Sequence, residues 1–154
     1  PPFDPSANRT PLSDYVDWKN FDSVWELSNA NEDPSVLETL LNNYRRESEE
    51  ILSRVEKIAA EDLPQARRLL HKLRGSTGSL GLKGAFTRIE DDPDDESMSK
   101  VARTIGSIPE IRRSTERAFL EIARRYPSLN LLPPSGDSPG SPQESSKSSP
   151  PAED

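Results

Sequence analysis

His71 is the one imidazole in the chain, and its surroundings at helical spacing decide what it could do. A neutral imidazole offers a lone pair for attack or for proton transfer at physiological pH. On a helical wheel of about 100° per residue, Ala66, Leu69, Leu70, Leu73, Thr77 and Leu80 fall in one sector, which is the expected buried face. His71 lies roughly 150° from the centre of that sector, so the ring is predicted to face water. Gly75 and Gly78 follow at i+4 and i+7 and leave a bare stripe beside it. Each glycine costs a helix interior about 1 kcal/mol relative to alanine. Close approach by another protein's backbone gives a reason for them; close packing inside the fold is the alternative. Arg67, Arg68, Lys72 and Arg74 stand around the stripe, with Lys83 nearby in sequence. Such a cationic border disfavours the protonated ring and offsets the charge of an attached phosphoryl group. The blander reading is a solvated helix face.

The run His71-Lys72-Leu73-Arg74-Gly75-Ser76, followed by Leu80-Gly81 and then Ile89-Glu90, resembles the signature of histidine phosphotransfer (HPt) domains. That pattern is roughly His-x-Leu-Lys-Gly-Ser, then Leu-Gly, then a Leu-Glu pair at the end of the next helix. The stretch from Asp33-Pro34 through Leu40-Leu41 to Asp62-Leu63 is similar to the family as well, and the resemblance spans about residues 20–125. It implies an all-α fold: an antiparallel four-helix bundle with an additional N-terminal helix. It also implies that a ring nitrogen of His71, Nε2 in the family, takes a phosphoryl group from a receiver-domain aspartate and returns it to another receiver. His71 would be the phosphoacceptor, with Lys72, Arg74, Gly75, Ser76, Gly78, Arg67 and Arg68 in support. By position Arg74 replaces the family's lysine, and a guanidinium is not equivalent to an ammonium at a phosphate. Leu70 and Leu82 stand where the family often has alanine. Modules of this kind often end hybrid sensor kinases. The opening on Pro1, without a methionine, fits a segment of such a protein.

The elements that must carry these residues are helical, with no alternating strand pattern. The first helix is expected over 17–30. Asp33-Pro34 starts a second of about seven turns, reaching Ala59. Asp62 caps a third, with Pro64 in its first turn, and Gly81 ends it by accepting positive φ. A short helix is expected over 83–90, broken by the acidic run 91–95. The last helical stretch covers 97–126, with Gly106 and Pro109 kinking or splitting it. Residues 1–12, with four prolines, read as a linker, residues 13–126 as the bundle, and residues 127–154 as a disordered Pro/Ser-rich tail. The acidic run 91–95 reads as a helix-ending loop.

Composition narrows the function further. The absence of cysteine excludes disulfides and thiolate chemistry, and one histidine makes a zinc site improbable. A net charge of −7 argues against nucleic acid or an anionic membrane as the main partner. No apolar run reaches the length needed to span a bilayer. No nucleotide-binding glycine loop is present, so the chain is expected to be a phosphoryl carrier and not a stand-alone enzyme. It needs no cofactor of its own, the divalent metal being expected on the partner receiver, and a cytoplasmic setting is expected. The rival readings are a receiver-docking module that carries no phosphate, a sensor-kinase dimerisation domain and a peptide-binding scaffold. The kinase domain has an acidic residue after its histidine, where Lys72 stands here. The scaffold would need an exposed apolar groove.

Overall fold

A computed structural model describes residues 11–132. The expectations for 1–10 and for 133–154 lie outside the described residues. Within them the fold is all-α, with six helices and no strand: α1 (Trp18–Leu27), α2 (Ser35–Ile58), α3 (Leu63–Ser79), α4 (Lys83–Arg88), α5 (Ser99–Gly106) and α6 (Ile108–Arg125).

Local chemistry sets most of these ends. The Asp17 carboxylate accepts from Asn20 N at 3.3 Å and opens α1. Asp33 Oδ1 accepts from Ser35 N at 3.1 Å, and the two contacts with Ser35 hold its carboxyl below the usual range. Asp62 Oδ1 does the same for Gln65 N at 3.0 Å, with Pro64 in the first turn of α3. Gly81 stops α3 at φ +75, where a Cβ would meet Asp17 O at 3.0 Å. Helix α4 is shorter than expected. Ile89 turns extended, at φ −96 and ψ 97, and sends its side chain into the core at 1% exposure. The last stretch splits at Ser107, between Gly106 and Pro109. Helix α1 ends at Leu27, short of Ala30, and Asn29 follows at φ 59.

Helices α2 and α3 run antiparallel. Their core seam carries one polar pair, Tyr44 Oη and Thr77 Oγ1 at 2.7 Å. Thr77 donates to Leu73 O, so the phenol is the donor to Thr77. Burial pushes the Tyr44 hydroxyl up to about 12. Helices α2 and α6 are antiparallel too. Arg45 pairs with Glu116, and Arg112 reaches both Glu49 and Glu56 at 2.9 and 3.0 Å. The side between α3 and α6 is covered by α4 and α5 together. Helix α1 lies where α3 turns into α4: Asp17 N donates to Gly81 O at 2.7 Å and Asn20 Nδ2 to Gly78 O at 3.2 Å. Trp25 stacks on Tyr126 at 3.9 Å, tying α1 to the end of α6. The core gathers Phe21, Leu37, Leu41, Leu73, Ile108 and Ile122 from α1, α2, α3 and α6.

The tail was expected to begin at 127, and residues 127–132 depart from that. Leu129 is buried. Asn130 N donates to Glu38 Oε2 and Leu132 N to Asn42 Oδ1, each at 2.9 Å, and Arg45 donates to Leu132 O. An apolar side chain at 129 and backbone polar groups satisfied by α2 carry the fold past Pro127. Among the described residues, no helix is long and apolar enough to cross a membrane.

Candidate functional site: an exposed imidazole on α3

Helix α3 buries Ala66, Leu70, Leu73 and Thr77, with Leu69 half-buried. That amphipathic split turns His71 outward, and its side chain is 72% exposed. The group that meets the ring is an anion: Asp91 Oδ2 lies 2.6 Å from Nδ1, and the Asp91 side chain is only 14% exposed. A carboxylate accepts and cannot donate, so Nδ1 carries the hydrogen and Nε2 keeps the lone pair in the neutral ring.

The expected cationic border is rearranged. Arg67 Nη2 donates to Asp92 O at 2.7 Å. Arg74 Nε donates to Ile89 O at 3.0 Å, and its guanidinium lies 4.2 Å over the Phe86 ring. Both side chains are turned to the segment after α4 and its helix. The fork geometry of a guanidinium and the nearby backbone carbonyls explain this better than an open cationic face does. Arg68 is exposed and bonds Gln65 Oε1 one turn back, through Nε at 3.0 Å. Lys72 is exposed and forms no ion pair among the described residues. Lys83 begins α4 and is exposed.

The two glycines part company. A Cβ at Gly75 would meet nothing within 4 Å, so the surface beside the imidazole is open and flat there. A Cβ at Gly78 would lie 2.7 Å from the Phe86 ring. Gly78 therefore serves close packing of α3 on α4, and the bare stripe expected from the wheel shortens to Gly75. Ser76 is exposed and its hydroxyl returns to Lys72 O at 3.5 Å, about 140° around the helix from His71.

Asp91 is the site residue that helical spacing does not reveal, since the acidic run 91–95 reads as a helix-ending loop. A signal was available. Helices α3 and α4 form a hairpin about Gly81, and reflecting position 71 through 81 lands on 91. Among the described residues, no cluster of three or more His, Cys, Asp or Glu side chains is placed to hold a metal ion.

Residues 39–105, from the first turns of α2 to the last of α5, match the family model of the Hpt domain. No curated protein and no solved structure matches the chain.

Proposed function

Residues 39–105 belong to the Hpt domain family, whose histidine carries phosphoryl groups in two-component phosphorelays, and from that premise we propose that His71 is the carrier residue here. It accepts from a receiver-domain aspartyl phosphate and passes the group to another receiver. The observation that carries this reading is the exposed ring with Nδ1 held by Asp91 and Nε2 open to solvent. In the acceptance step the Nε2 lone pair attacks phosphorus. The N–P bond forms, the P–O bond to the receiver carboxylate breaks, and the carboxylate leaves with the electron pair. The hydrogen stays on Nδ1, donated to the Asp91 carboxylate, throughout. Return to a receiver reverses these changes on a second aspartate.

Phosphoryl transfer relies on positioning and charge neutralisation. The receiver supplies the divalent cation and most of the electrostatic stabilisation. This chain supplies an open nitrogen, a flat approach at Gly75, and two exposed cations beside it, Lys72 and Arg68, of which Arg68 would first have to leave Gln65. Arg74 and Arg67 are occupied elsewhere in the fold, and Gly78 and Ser76 have no direct part. A cytoplasmic setting, as a module of a hybrid sensor kinase, goes with this reading.

The test is transfer from a phosphorylated receiver to the full chain, with His71→Gln in parallel. The expected result is an acid-labile, alkali-stable label on the native chain and none on the variant. A chain that binds receivers but takes no label would instead be a docking module.

A further inference from the structure

Four consecutive residues after α4 are held from both sides, more tightly than a helix-ending loop requires. From α3, Arg74 Nε binds Ile89 O at 3.0 Å, His71 Nδ1 binds Asp91 Oδ2 at 2.6 Å, and Arg67 Nη2 binds Asp92 O at 2.7 Å. From α5, the buried Thr104 hydroxyl accepts from Glu90 N at 2.9 Å, Arg103 pairs with Glu90 at 3.0 Å, and Lys100 pairs with Asp92 at 2.9 Å. The Ile89 side chain anchors the run in the core. Positions 67, 71 and 74 follow i, i+4, i+7, so one stripe of α3 meets one strand of backbone in antiparallel register.

We infer that Arg74 and Arg67 are positioning residues for His71: they fix the 89–92 backbone so that Asp91 meets Nδ1 and sets the ring's tautomer. This rests on the carrier reading only for its consequence in transfer. The ring is mostly in water, and Asp91 is its hydrogen-bond partner among the described residues. Free histidine prefers hydrogen on Nε2, the nitrogen that must attack. A carboxylate held against Nδ1 reverses that preference, and its effect depends on how well its own backbone is fixed.

The same geometry favours arginine over lysine at 74. Its planar guanidinium donates Nε to Ile89 O while its face covers the Phe86 ring at 4.2 Å. An ammonium cannot fill both places at once. Phe86 in turn reaches that position because residue 78 has no Cβ. The line from Gly78 through Phe86, Arg74 and Ile89 therefore ends at the carboxylate on the imidazole.

The experiment reads the ring nitrogens of the full, ¹⁵N-labelled chain by NMR at about pH 8.5, two units above the ordinary imidazole value. Asp91→Ala, Arg74→Gln, Arg74→Lys and Arg67→Gln are compared with the native chain, and urea midpoints show that each is folded. The expected result is an Nδ1–H ring in the native chain. Asp91→Ala should turn it to mostly Nε2–H, and both Arg74 variants should give a mixture, with a smaller change for Arg67→Gln. Acceptance of phosphoryl groups should slow about tenfold in Arg74→Gln. The double variant with Asp91→Ala should be no slower than Asp91→Ala alone, as for residues acting through one group. If Arg74→Gln keeps the native tautomer yet slows transfer, or Arg74→Lys keeps full transfer, the positive charge at 74 acts on the phosphoryl group and the inference fails. If no receiver labels the native chain but the tautomers shift as stated, the carrier reading fails and the positioning role stands.

Discussion

Alanine at two positions three residues apart in α3 should change stability in opposite directions. At Gly75 the added methyl meets nothing within 4 Å, so the helix gains the full propensity difference, about 1 kcal/mol. At Gly78 the same gain is set against a methyl 2.7 Å from Phe86 Cε1 and 2.9 Å from Cδ1. Those atoms belong to a ring under the Arg74 guanidinium, so the ring cannot swing aside without breaking that contact. Overpacking of this kind costs about 1–3 kcal/mol. The net loss for Gly78→Ala is about 1 kcal/mol, and the two variants should differ by about 2 kcal/mol. For a fold of this size that separates their melting temperatures by about 8 °C. Urea unfolding of both single variants and the double variant measures it, the double lying near the native chain. Gly78→Ala as stable as the native chain would refute the packing argument, because Phe86 would then be free to move. Gly75→Ala should also weaken productive encounter with a receiver despite its higher stability, since the flat surface beside His71 is lost.

Two further expectations concern the ends of the fold and its acid response. Leu129→Ala should lower stability by about 2 kcal/mol, the low end for a buried leucine, whereas a segment lying free in solution would show no change in urea midpoint. The Asp95 carboxylate accepts from Ser97 Oγ at 2.6 Å, Lys100 N at 2.8 Å and Ser99 Oγ at 3.2 Å. These contacts, the Ser97 hydroxyl first, bring its pKa down to about 2. A value depressed in the folded state stabilises the fold above the ordinary carboxylate range, about 4, and that contribution disappears as pH falls through about 2. Asp95→Ala should therefore be less stable than the native chain at pH 6 and converge with it near pH 2. Parallel curves down to pH 2 would refute the assignment.

What the sequence made legible was what local chemistry determines. Asp62 with Pro64, Gly81, and the Gly106–Pro109 break were readable because each acts within a turn of itself. The outward turn of His71 followed from period alone, since the buried sector of α3 is set by residues on the same helix. Pairings between elements were not readable in this way. Asp91 reaches His71 across twenty residues. Arg74 looks like an open cation until Ile89 O and Phe86 are placed beside it. Gly78 cannot be told from Gly75 until the ring opposite it is known. Residues 127–132 carry a tail-like composition, and only the acceptors and donors of α2 make them part of the fold.

The Tyr44–Thr77 pair acts as an index between two helices. Sliding α3 along α2 by one turn, 5.4 Å, would take Thr77 away from the buried Tyr44 phenol, while Thr77 itself keeps its bond to Leu73 O within α3. Leaving the phenol without that partner costs about 1–3 kcal/mol, so α3 has one favoured seat. His71 lies six residues from Thr77 on the same rigid rod, about 9 Å along its axis. A hydroxyl contact in the dry interior thus fixes the elevation at which the imidazole is presented. A visiting protein that must bring an acidic side chain to that nitrogen meets it at one level every time.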